Sequence, residues 1–147
     1  MAATPERRVI QADGRAKVYR PLPAAARADA LHAGFRHYEA GRPFEAHEAW
    51  EPAWMGTDDL AERALLQGLI KVAAAEVHGR RGNAAGVVRN LEGALERLRY
   101  AQASGRIAVP GGRVDLDTLI SLAEARLAIA RAGQPGPSIT IPWRSDP

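Results

Sequence analysis

At 147 residues the chain suits one domain that buries roughly 68–70% of the surface its unfolded form exposes, so folding needs neither metal nor disulfide. It has no cysteine, which excludes disulfides, thiolate metal sites and cysteine nucleophiles and leaves nitrogen and oxygen chemistry. A pI near 9.8 accompanies a net charge of only +3, because 18 of the 20 basic residues are arginines; they are scattered rather than set in a stripe, which disfavours nucleic acid as a partner.

Met1 to Arg8 is polar, and no run of about eighteen uncharged apolar residues occurs anywhere, so the sequence predicts a cytoplasmic protein with neither signal peptide nor membrane span. Residues 1–23 carry Pro5, Asp13-Gly14, Pro21 and Pro23 among isolated apolar positions, which predicts an irregular arm anchored by Val18, Tyr19 and Leu22. From Ala24, apolar residues recur at helical spacing through Ala28, Leu31, Phe35 and Tyr38, and Gly41 suits the residue just past a helix end. Pro43 is placed for the first turn of a second helix running to about Met55, with Pro52 as a local kink.

That second helix concentrates the chemistry of the chain. Phe44-Glu45-Ala46-His47-Glu48-Ala49-Trp50-Glu51, continuing to Trp54, packs three carboxylates, an imidazole and three aromatics into one short stretch. On a helix, His47, Trp50, Glu51 and Trp54 share a face with Phe44, while Glu45 and Glu48 project to its flank. His47 and Glu51, four residues apart, can hold a divalent metal together, act as general acid and base, or bond to each other. The string departs from the His-Glu-x-x-His of zinc proteases, because Glu51 stands where the second histidine belongs. It also lacks the paired Glu-x-x-His of di-iron bundles.

Gly56-Thr57-Asp58-Asp59 ends this helix and caps a third, expected from about Asp59 to His78 and to be the most buried, with Leu65, Leu66, Leu69, Ile70, Val72, Ala73 and Val77 on a wide apolar arc. Glu76 falls inside that arc, which predicts pairing with an arginine or a contact with a second copy. Gln67, Lys71, Ala74 and His78 form a second row on the opposite side. Gly79-Arg80-Arg81-Gly82-Asn83 breaks the helix, and a fourth follows to about Ala103 on Val87, Leu91, Ala94 and Leu98. A loop over Gly105–Gly112 leads to a fifth helix, capped by Asp115 or Asp117 and ended before Gly133. Its proline-rich tail has Ile139, Ile141 and Trp143 as anchors.

The turns at Gly41 and Gly82 echo each other, which suggests tetratricopeptide-like pairing of helices one with two and three with four, although the spacing and copy number are not those of a true array. Phe44-Glu45-Ala46-His47-Glu48, Trp50-Glu51 and Trp54, followed by Leu66-Gln67-Gly68-Leu69-Ile70 and Arg81-Gly82-Asn83, resemble the domain of unknown function family 309 over roughly residues 28–100. The resemblance implies a small all-helical fold with Glu45, His47, Glu48, Trp50, Glu51, Gln67 and Gly82 at motif positions, and it names no reaction. Glu76 and Pro52 depart from the family pattern.

The expectation is therefore one all-α domain over residues 1–147: a five-helix bundle of two antiparallel hairpins plus a C-terminal helix, with the helical body at 24–132 between an irregular arm at 1–23 and the tail at 133–147. Its candidate ligand site comprises Glu45, His47, Glu48, Trp50, Glu51, Trp54, Gln67 and His78 on the second and third helices, with His47 and Glu51 as metal ligands. Zinc, manganese or iron suit that donor set better than calcium. The alternative is a tetratricopeptide-like interaction module, binding a protein partner or a second copy, with the His/Glu cluster as a structural core network. A ligand site needs an open cavity, an interaction module an exposed groove, and a core network full satisfaction of its polar atoms.

Overall fold

The computed structural model describes residues 7–11 and 14–147; Pro5, Asp13 and the polar opening to Glu6 lie outside the described residues. The arm is a two-stranded antiparallel hairpin, β1 (Arg7–Ile10) and β2 (Ala16–Tyr19), with Arg7 opposite Tyr19 and Ile10 opposite Ala16. Five helices follow: α1 (Ala24–Glu39), α2 (Pro43–Met55), α3 (Leu60–Arg80), α4 (Ala84–Ala103) and α5 (Leu116–Arg131). Between α4 and α5 the expected loop contains β3 (Ala108–Val109) and β4 (Gly112–Val114), and β5 (Trp143–Ser145) from the tail completes a three-stranded sheet in the order β3-β4-β5. Val114 pairs with Trp143 and Arg113 with Arg144, so the two ends of the last third of the chain close on each other.

The helix ends follow from their residues. Gly41 and Gly82 both adopt positive φ, at 77° and 69°, and in both turns the residue after the glycine donates its N–H back to a carbonyl five residues earlier, Arg42 to His37 and Asn83 to His78. The side chains of Asp59, Asn83 and Asp115 cap α3, α4 and α5.

Each helix packs chiefly on its neighbours in sequence, α3 against α4 most extensively, and α3 carries eleven buried residues, more than any other helix. Close approach is built from glycine. At Gly34 an added Cβ would lie 2.0 Å from Trp50 Nε1, so α1 can meet α2 only because that position is bare. Trp50 is fully buried there, donating to the Leu31 carbonyl at 3.1 Å and packing edge-on against Phe35. The other face of the cluster is closed by the tail: Trp143 stacks on Phe35 at 4.0 Å, while Ile139 and Ile141 are buried.

Glu76 is satisfied by something other than an arginine. Its Oε1 accepts the Ile139 N–H at 2.8 Å, and the Tyr38 hydroxyl donates to the Ile139 carbonyl, so one residue of the tail is held on both sides of its backbone.

Candidate functional site

The motif on α2 divides by helical face. Trp50, Ala46 and Ala53 turn into the core, whereas Phe44, Glu45 and Glu48 are exposed and His47 and Glu51 lie at the margin. His47 Nδ1 is buried without a hydrogen-bond partner, and Glu51 Oε1 lies 3.6 Å from it, slightly too far for a hydrogen bond. Among the described residues no three His, Asp or Glu side chains gather into a group able to hold a metal ion.

On α3 the predicted partners separate. His78 faces Asn83 across the α3–α4 turn, with its ring nitrogen 3.1 Å from Asn83 Nδ2. Gln67, more than three turns earlier on the same helix, lies beside Gln11 of the arm. Among the described residues, no hydrogen bond or ion pair joins His47, Glu48 or Glu51 to Gln67 or His78.

Of the eight candidates, the structure brings Trp54 and Gln67 to a common centre, around a residue the motif does not contain. Arg63 is only 1% exposed. Its Nη1 donates to the Trp54 and Thr57 carbonyls, both at 3.0 Å, which places a cation at the C-terminal end of α2 where the helix dipole favours one. Its Nε and Nη2 donate to Gln11 Oε1 at 3.3 and 3.1 Å, and Trp54 Nε1 donates to that oxygen at 3.0 Å. The Arg63 guanidinium lies 5.3 Å from the centre of the Trp54 ring, within the range of a cation–π contact. Burial lowers its proton affinity, and the Asp58 carboxylate opposes that shift. Three N–H groups, one pair of them charged, thus converge on a single oxygen.

Beside this centre a cleft of about 130 Å³ opens between α3 and α4, lined by Gln11, Arg63, Gln67, Glu96, Arg97 and Tyr100. A second buried network adjoins it: Glu62 accepts from Arg27 Nε at 3.1 Å and from the Thr57 hydroxyl at 2.6 Å. Sequence reasoning missed Gln11, Glu62 and Arg63. The signal for Arg63 was available, since it precedes Leu66 by three residues and Ile70 by seven and so lies on the apolar stripe of α3 just as Glu76 does.

These features define a mostly helical bundle with a polar centre between α2 and α3, clasped by an N-terminal hairpin. Residues 31–90, from Leu31 in α1 to Asn90 in α4, match the model of the domain of unknown function DUF309. That segment contains the α2 motif, Trp54, Arg63 and Gln67, while the clasp and the tail lie outside it. No curated protein and no solved structure matches the chain.

Proposed function

We propose that this protein binds a small ligand through a carboxylate or carboxamide group at the Trp54–Arg63–Gln67 centre, with the arm as a movable cover. The observation that carries the reading is Gln11 Oε1, which accepts from Arg63 twice and from Trp54 once. A guanidinium edge beside an indole N–H is a preorganised receptor for a planar oxygen ligand. Gln11 supplies that oxygen in cis, and the adjoining cleft gives a displacing ligand room for its body.

The test removes the built-in occupant. Gln11→Ala deletes a fragment equivalent to acetamide, so acetamide and acetate should raise the melting temperature of Gln11→Ala by several degrees more than that of the parent. Adding Arg63→Lys should abolish the difference. Equal responses of parent and variant to both compounds would sink the proposal.

A second reading keeps the metal. The unpartnered His47 Nδ1 and the nearby Glu51 carboxylate are separated by little more than two donors on one zinc ion, roughly 3–3.5 Å apart at ordinary bond lengths. Zinc or manganese should then stabilise the parent and leave His47→Ala unmoved. Phe44, 55% exposed beside Glu45 and Glu48, would give the interaction-module alternative its apolar anchor for a partner protein or a second copy.

A further inference from the structure

The hydrogen bonds around Gln11 fix which end of an amide each neighbour reads. Arginine and indole N–H groups donate and never accept, so the Gln11 atom on which Arg63 and Trp54 converge is its oxygen. The nitrogen then points the other way, and Gln11 Nε2 donates to Gln67 Oε1 at the long distance of 3.5 Å. Because that nitrogen offers only N–H groups, Gln67 must present its own oxygen there. Arg63 and Gln67 stand four residues apart on α3 and share a face, so one helix holds a donor for the oxygen of an amide and an acceptor for its nitrogen. Gln11 itself is only 7% exposed, which keeps water from competing for either end.

Charge separates an amide from an acid at this centre. Glu62 is paired with Arg27 at 3.1 Å, Glu96 lies 3.8 Å from Arg97 on the wall of the cleft, and Arg63 stands in the field of Asp58, whose carboxylate favours the charged guanidinium. Each of these arginines thus already has a carboxylate in its vicinity. A carboxylate ligand would bring an unbalanced charge into a buried centre, and its second oxygen would meet Gln67 Oε1, an acceptor facing an acceptor. A primary carboxamide does neither.

We infer, building on the receptor proposed above, that its ligand is a small neutral primary carboxamide and that Gln67 is the residue that selects the amide over the acid. The oxygen is held by Arg63 and Trp54, and the N–H groups by Gln67 Oε1. A site built from hydrogen bonds rejects an analogue most strongly when it leaves a buried polar atom unpaired or opposed, and here that atom belongs to Gln67. The cleft beside the centre, which Gln67 and Tyr100 also line, leaves room for the rest of the molecule.

Thermal melts of Gln11→Ala at constant ionic strength provide the test, with acetamide and sodium acetate as probes. A given rise in melting temperature should need about tenfold less acetamide than acetate. Gln11→Ala/Gln67→Leu, which has no acceptor for the amide nitrogen, should lose that preference, and Gln11→Ala/Gln67→Glu, which keeps one, should retain it. Acetate acting as strongly as acetamide on Gln11→Ala, or a preference that Gln67→Leu leaves intact, would overturn the assignment to an amide while leaving the receptor itself in place. If Gln67→Leu does not fold, Gln67→Glu decides alone, and a double variant that prefers acetate overturns the selective role of Gln67. A Gln11→Ala protein that responds to neither compound would instead remove the receptor and its ligand together.

Discussion

Arg63 shows how one side chain can be worth more to this protein than its charge suggests. It has no carboxylate within bonding distance among the described residues; it is held instead by two helix-end carbonyls, the Gln11 carboxamide and the Trp54 ring. Lysine cannot reproduce a planar five-donor fork. Arg63→Lys should therefore leave buried acceptors unsatisfied and cost about 1–3 kcal/mol, measured by urea denaturation. A variant as stable as the parent would show that water enters the centre readily. Tyr38 makes a second prediction at this scale. Burial, and then the Glu76 carboxylate, raise its proton affinity, so folding favours the neutral phenol. A group raised in the folded state contributes fully below its unfolded pKa of about 10, and that contribution is lost as pH climbs beyond it. Stability should fall above pH 10 with a slope that Tyr38→Phe reduces, and an unchanged slope would remove Tyr38 from the account.

The contact between α1 and α2 rests on one missing methyl group. Gly34→Ala would drive a Cβ against the indole of a tryptophan that has no free space, and rigid rings give way less easily than the flexible Leu98 side chain that meets Gly68 between α3 and α4. Gly34→Ala should cost about 1–3 kcal/mol of overpacking and shift the Trp50 fluorescence, whereas Gly68→Ala should cost less. The reverse order in a thermal melt would contradict this picture. Helices were legible because each carries its own punctuation, with Gly41, Pro43 and Gly82 at its ends and apolar residues at constant spacing. The strands were not, since β3 has two residues and its sheet depends on β5, more than thirty residues later, so no local period announces it. The site was half legible for the same reason. Trp54 and Gln67 could be placed on faces of their helices, but the contact of both with Gln11 is fixed by the fold of the arm.

Across the whole molecule, the tail is a structural member although its composition reads as a linker. Ile139 and Ile141 are buried, Trp143 covers Phe35, Glu76 and Tyr38 hold the Ile139 backbone, and β5 completes the sheet. Fully burying a large apolar side chain contributes about 1.5–3 kcal/mol, so removing three anchors takes away an amount comparable with the 5–15 kcal/mol total of an ordinary domain. Deleting residues 134–147 should thus replace one cooperative, metal-independent transition with a broad one at much lower temperature, while part of the helical circular dichroism persists because α3 and α4 keep their mutual contact. Calorimetry on parent and truncated chains decides it: a truncated protein that still melts sharply within a few degrees of the parent would mean that the helices alone close the core, and that Glu76 serves only to park the tail.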